Sequence, residues 1–389
     1  MKILVVCQNY YPEQFRITDI CGELAKRGND VTVITGLPNY PVGKIYDGYK
    51  RGKKRDEVIN GVKVHRCFTI GRRSGAIFRF LNYYSFAISS KRYVKRLKEK
   101  FDVVFVNQLS PVMMANAGVA YKKKTGAKLV LYCLDLWPES LVAGGIKRDS
   151  CIYKHYYKVS AKIYKECDKI LVTSKCFADY FKEKFGIEDT EYLPQYAEDI
   201  FSVGACKKTP DEFTDLMFAG NIGAMQSVET VIDAAAILKD IKNLRFHIVG
   251  DGSELAKVKA LADGLPNVIF YGKKPLEEMP EFYAKADAML ITMKNDGIIS
   301  YTLPGKVQSY LAAAKPIIGA IGGETERVIS DAGCGFCGDS DDAERLAQNV
   351  GEFVESKEKG VMAENARKYY DEHFAKDKFF DKLEKGLEE

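Results

Sequence analysis

The sequence predicts an α/β protein of two doubly wound domains, each built on a mostly parallel sheet. Three observations predict it. Apolar strand-like runs alternate with stretches of helical spacing, the alternation breaks once near residue 200, and it then begins again. A chain of 389 residues, 46% hydrophobic and 29% charged, is long enough to bury two cores of ordinary size.

The first domain opens with "KILVVCQ", a continuous apolar run suited to a strand buried on both faces. "ITDICGELAKRGND" then carries helical spacing that ends at Gly28, and "VTVITG" resumes a strand, completing a βαβ unit. "VKVHRCF", "DVVFVNQ", "KLVLYCLD" and "KILVTS" repeat the theme. Residues 194–212 are polar and turn-rich. After them "DLMFAG", "LRFHIVGDG", "NVIFYG", "AMLITM" and "PIIGAIGG" run through the cycle afresh. A ligand is expected in a cleft between the carboxyl ends of the two sheets.

Composition excludes several classes. No run approaches the ~20 apolar residues of a spanning helix, and the first strand starts at once without a signal-peptide cleavage site, so the chain is expected in the cytoplasm. Ten scattered cysteines fit a reducing compartment; the close pair Cys334 and Cys337 reads as a glycine-rich turn into a short strand. His65, His155, His247 and His373 are dispersed without ligand spacing, so no metal or other cofactor is expected. No nucleic-acid partner is expected either.

A dinucleotide oxidoreductase fails on spacing. "CQNYYPEQF" after the first strand has no glycine, so the close backbone approach to a pyrophosphate is missing where it is needed. The second domain is better supplied. "FAGNIG" places Gly220 and Gly223 between a strand and a helix, where free N–H groups favour a phosphate. "VGDGSE" with Gly250, "YGKK" with Gly272 and Lys273, "LPGK" with Lys306, and "IGGETE" with Gly322 and Gly323 sit at other strand ends of the same domain. A diphosphate suits such a rim. The same glycines also serve turns that need them for conformation alone.

The order of "LAKRGNDVTVITG", "LPQYAED", "FAGNIG", "HIVGDG", "YAKADAMLITM", "LPGKVQSYLAAAKPIIGAIGG" and "AGCGF" resembles the retaining GT-B glycosyltransferases of family 4. "NYYPEQFR", "LPNYPVGKIYDGYK" and "LDLWPES" are similar to the N-acetyl-L-fucosamine transferase branch of bacterial surface polysaccharide synthesis. The resemblance implies the GT-B fold, with two Rossmann-like domains facing across a cleft. Their bounds are expected at 1–197 for the acceptor domain and 198–369 for the nucleotide-sugar domain, with 370–389 a helix crossing back to the first. It also implies front-face retaining transfer, in which the leaving diphosphate helps remove the acceptor proton.

Carried over residue by residue, Lys306 matches the cation on the donor diphosphate, which stabilises the departing charge. Gly220, Asn221 and Gly223 would wrap the phosphates, and Gly322 and Gly323 would leave room for sugar and phosphate. The family's paired glutamates fall on Tyr301 and Ser309, so both acids are missing; Ser309 still offers one hydroxyl to a ribose. Glu324 or Glu326 is the carboxylate expected nearby. Ala224 stands where the family has a basic residue, leaving Gln226 as the polar group.

Acceptor chemistry is expected in the first domain. Its loop holds Glu13, a candidate base, with Phe15 and Arg16, and Asn39 and Tyr40 lie in "LPNYP". Asp135 closes a strand at its carboxyl end, and Trp137 and Glu139 follow; an aromatic plane beside carboxylates suits a sugar ring. The same residues fit a core tryptophan and a helix cap.

The segment from Arg72 to Arg96 combines Ile77, Phe78, Phe80, Leu81, Tyr84 and Phe86 with Arg72, Arg73, Arg79, Lys91, Arg92, Lys95 and Arg96. Such a helix rests on an anionic membrane surface, and equally fits a core helix with a solvated basic face. The net charge of +5 agrees with either.

The expected function is a glycosyltransferase moving a hexosyl or N-acetylamino sugar from a UDP-sugar to a glycan or lipid-linked acceptor in capsule or O-antigen synthesis. Its place is the cytoplasm and the inner face of the membrane. A nucleotide-sugar epimerase of the same fold would need no acceptor, and a non-catalytic nucleotide-sugar sensor would show no donor turnover.

Overall fold

A computed structural model describes residues 1–73, 75–294, 297 and 299–389. The chain divides into two compact units. The first comprises Met1–Thr173, Phe177–Leu193 and Phe380–Glu389, and the second Ser174–Cys176 and Pro194–Phe379. The main division thus falls at 193/194, against the expected 197/198. The return begins at residue 380 where 370 was expected.

The first unit holds eight strands: β1 (Lys2–Val6), β2 (Asp30–Thr35), β3 (Asp56–Ile59), β4 (Val62–Arg66), β5 (Val103–Gln108), β6 (Lys128–Cys133), β7 (Lys169–Val172) and β8 (Thr190–Tyr192). Their order in the sheet is β3-β4-β2-β1-β5-β6-β7-β8. All pairs are parallel except the hairpin β3–β4, whose Asn60-Gly61 turn has positive φ at both residues. Central strands are buried on both faces, which is why β1 and β5 read as unbroken apolar runs. The last residues of the chain bind within this unit: Arg27 meets Asp381 and Glu384 at 3.2 Å, and Lys128 Nζ donates to the Gly386 carbonyl at 2.9 Å.

The second unit holds β9 (Thr214–Ala219), β10 (Leu244–Val249), β11 (Val268–Gly272), β12 (Ala288–Thr292), β13 (Ile317–Ala320) and β14 (Gly335–Gly338). The order is β11-β10-β9-β12-β13-β14, and every pair is parallel. β14 begins directly after Cys334 and contains Cys337. A side chain at Gly335 would meet the Ile317 carbonyl at 1.9 Å, so glycine is required there. Burial pushes both thiols, Cys334 and Cys337, up to about 12, and both are free.

Where β9 begins, Asp215 is 1% exposed and sits in an ion network. It accepts from His247 Nε2 (2.8 Å), Arg245 Nε (2.6 Å) and Nη2 (2.9 Å), with Lys208 Nζ at 2.7 Å. Burial works to raise this carboxyl, yet the three cationic or N–H partners outweigh it and hold the group well below the usual range. A lowered carboxyl contributes stability that is present at neutral pH and lost as pH falls through the acid range. Asp215→Ala should therefore cost about 3 kcal/mol in denaturant unfolding at pH 7, because three donors lose a buried partner. An unchanged midpoint would show that the network carries no net stability.

Candidate functional site

The glycine loop of the second unit follows from the way β9 ends. Gly220 N–H bonds the Val249 carbonyl (2.9 Å) and Ile222 N–H the Asp251 carbonyl (2.9 Å), strapping the loop to the turn after β10. The fit is so close that a Cβ on Gly250 would lie 1.8 Å from the Gly220 carbonyl oxygen, and one on Gly252 would lie 2.2 Å from that of Ile222. Gly250, expected to touch the donor, packs against the Gly220 loop and allows its close approach. The Asn221 side-chain amide donates to Gln226 Oε1 at 2.9 Å, and both crowd the position a Gly223 Cβ would take.

Lys306 is the second residue of the helix Gly305–Ala312. Its Nζ is buried without a hydrogen-bond partner among the described residues, 4.1 Å from the centroid of Phe218 and 3.1 Å from the point where Gly220 would carry a Cβ. An ammonium held over an aromatic face and beside a glycine backbone lacks only an anion. Burial alone pulls the amine down from 10.5 to about 8. One turn along the same helix, Ser309 Oγ lies 3.4 Å from Glu198 Oε2.

Other expected donor residues are placed differently. Glu324 is 1% exposed and accepts from the Cys176 N–H at 3.3 Å, with Arg327 at 3.8 Å, so its carboxylate is engaged internally. Glu326 is exposed, 3.8 Å from the Cβ position of Gly322. The carboxylate beside Ser309 is Glu198, which the sequence reading passed over inside "LPQYAED". Gly323 has φ +73°, and a Cβ there would strike the Ser300 carbonyl at 2.1 Å. Gly272 and the exposed Lys273 end the edge strand β11, separated from β9 by β10.

In the first unit, Asp135 follows β6 at the carboxyl edge of the sheet and stays partly exposed. Ser110 Oγ donates to its Oδ2, Ser140 Oγ lies 2.5 Å from Oδ1, and Trp137 Nε1 donates to Ser110 Oγ at 2.8 Å. Burial pushes the Asp135 carboxyl up, opposed by the two serines. Trp137 is 3% exposed and packs edge-on against Tyr156 at 5.4 Å, so it orients Ser110 and presents no open plane to a sugar.

Three more acceptor-side expectations are corrected in the same way. Glu139 is 2% exposed and bonded to the Tyr153 hydroxyl (2.8 Å), the Tyr180 hydroxyl (3.0 Å) and Arg148 Nε (3.2 Å). Glu13, 4% exposed and raised by burial, accepts from the Asn39 and Tyr40 N–H groups (2.7 Å each) and from Asn9 (2.9 Å). Almost wholly buried and accepting three internal hydrogen bonds, it pins a loop and offers an incoming hydroxyl no open approach. Asn39, 3% exposed, accepts from Arg72 N–H. Tyr40 stays largely exposed with Phe15 5.4 Å away, and Arg16 precedes the helix Ile17–Lys26, half-buried.

Residues 15–194 match the family described as Glycosyltransferase Family 4, and residues 206–369 match Glycosyl transferases group 1. WbjE of Pseudomonas aeruginosa, which carries the name of a glycosyltransferase, is 28% identical over 71% of this chain and 73% of its own. WcaI of Escherichia coli K12, named for colanic acid biosynthesis, is 27% identical over 80% of this chain and 81% of its own. The fold is shared with sucrose-phosphate synthase of Thermosynechococcus elongatus (TM-score 0.72, 14% identity, 99% of this chain and 97% of that one). It is shared also with Anabaena HepE solved with UDP-glucose (TM-score 0.70, 14% identity, 100% and 99%). With its first unit matched by one of these glycosyltransferase domains and its second by the other, the chain belongs to the family 4 glycosyltransferases of GT-B fold.

Proposed function

We propose that the protein is a retaining transferase that moves a hexosyl or N-acetylamino sugar from a UDP-sugar to a lipid-linked glycan in surface polysaccharide synthesis. The observation that carries this reading is the buried Lys306 amine, without a hydrogen-bond partner among the described residues, against the Gly220 loop. A diphosphate there would supply its missing counter-charge, and the lysine would supply the charge a divalent metal gives other transferases. Ser309 and Glu198 together would take the ribose hydroxyls that a single glutamate holds elsewhere in the family. HepE bound to UDP-glucose supports the nucleotide, and WcaI, named for colanic acid biosynthesis, supports the pathway class.

The test is transfer from a panel of UDP-sugars to a polyprenyl-diphosphate glycan in EDTA, with the product anomer read by NMR. Retained configuration and metal-independent turnover are expected. Inversion, or interconversion of free UDP-sugar without acceptor, would replace the reading.

A lipid-linked acceptor calls for a membrane-facing surface. No helix of the described residues is long and apolar enough to cross a membrane. The helix Ala76–Arg96 nevertheless exposes Ile77 (75%), Phe80 (50%) and Leu81 (42%) beside the basic Arg79, following Arg72 and Arg73. Exposed apolar groups within a basic stretch fit the headgroup region of an anionic leaflet. Replacing Arg72, Arg73 and Arg79 with alanine should weaken binding to phosphatidylglycerol vesicles at least tenfold at low salt, at about 1 kcal/mol per residue. Equal sedimentation of parent and variant with vesicles would end this assignment.

A further inference from the structure

The second unit contains a cavity of about 680 Å³ outside the glycine rim. It is bounded by residues 203–208, by the turn Ala313–Lys315 that leads into β13, and by the helix Lys359–His373. Its volume lies in the range of small-molecule sites. Apolar walls come from Val203, Ala313, Ala314 and Ala363.

Its charges are not all accounted for internally. Arg367 is used up, bonding Asp371 through Nε and Nη2 (2.9 and 2.7 Å) and the Ala312 carbonyl at 2.9 Å, where it also neutralises the end of the helix that carries Lys306. Lys208 is spent on Asp211, Asp215 and Asp287. Lys315 is different. It is 5% exposed, and its only described hydrogen bond is to the Ala286 carbonyl at 2.6 Å, so a neutral acceptor takes one of its three N–H groups. Asp287, already paired with Lys208, acts on Lys315 only through space, and a buried ammonium whose one described hydrogen bond goes to a neutral carbonyl gains when a ligand brings an anion into direct contact. Lys207 and Lys368 line the same space, without ion pairs among the described residues; the exposed Glu364 and Glu372 stand at its polar margin.

We propose that this cavity is a second ligand site, for a small phosphate monoester whose phosphate meets Lys315 and whose apolar body lies on Val203 and the alanines. Lys368 and Lys207 add long-range attraction, and lysine serves a phosphate well as a point charge. The site is separate from the donor rim in every residue.

Calorimetric titration of the full chain with phenyl phosphate, inorganic phosphate and phenol tests this. Phenyl phosphate should bind at least fivefold tighter than inorganic phosphate, and phenol should not bind. Lys315→Met, which keeps the length and removes the charge, should weaken phenyl phosphate at least tenfold. The surface change Lys368→Ala should weaken it about threefold without touching the core, and Lys306→Ala should leave it unchanged. Absence of binding by the parent, full affinity in both cavity variants, or loss of binding in Lys306→Ala would each overturn the proposal, the last by moving the anion to the donor rim.

Discussion

Lys306→Ala should lower kcat/KM at least about 100-fold, in line with removing one preorganised charge from a dry site. Its amine has no hydrogen-bond partner among the described residues, so its replacement breaks none of the described hydrogen bonds and leaves no buried acceptor behind. Lys306→Met should accordingly unfold no earlier than the parent, which separates lost chemistry from lost structure. The pH dependence carries a definite sign. Burial lowers the folded-state pKa of Lys306 from 10.5 to about 8, so the charged form is disfavoured by folding. The resulting destabilisation is fully present below pH 8 and is relieved as pH rises from there towards 10.5. A diphosphate binds the protonated amine, so UDP affinity should fall as pH rises through 8. The uracil ring and the terminal phosphate also titrate at the edges of that range, so the part of the fall that is lost in Lys306→Met reports the lysine. A UDP titration at pH 7 and pH 9 checks it: equal affinities, or near-normal turnover in Lys306→Ala, would remove Lys306 from the donor site.

The alternation of apolar runs made the two parallel sheets readable, because strands buried on both faces leave unbroken stretches such as those of β1, β5, β9 and β12. The edge strand β3 escaped notice, since "DEVI" is short and half polar. Its signal was the Asn60-Gly61 pair before β4, a hairpin turn. The glycines of the second unit's loops were legible for a related reason: a Cβ at Gly250, Gly252 or Gly323 collides with backbone, and only glycine meets such a demand. The acceptor side was harder to read. Trp137, Glu139 and Glu13 have the residue types of a sugar site, but the same types build a buried polar core, and only solvent exposure distinguishes the two. Glu198 was missed for the converse reason. Its partner Ser309 lies 111 residues away, and no local spacing links them.

Asp135→Asn should reduce turnover by on the order of 10²- to 10⁴-fold while UDP affinity stays within twofold, the loss of a general base with the donor groups untouched. The argument rests on one difference among the buried acids of the first unit. Glu13 and Glu139 are 4% and 2% exposed and each accepts three internal hydrogen bonds, whereas Asp135 accepts from two hydroxyls, those of Ser110 and Ser140, and is a partly exposed residue at the edge of the sheet. Hydroxyls accept as well as donate, so an arriving substrate hydroxyl can join this group without leaving a buried donor unpaired. Burial raises the pKa of Asp135, which brings a carboxylate closer to the proton affinity useful near neutral pH, and the serines restrain that rise. Ser110→Ala and Ser140→Ala should each shift the acid limb of the kcat/KM profile to higher pH, because each removes a hydrogen bond to the charged form. In Asp135→Asn the limb should disappear along with most of the rate. A variant that keeps the limb, keeps its turnover or loses UDP binding in the same proportion would show that Asp135 holds structure and takes no proton.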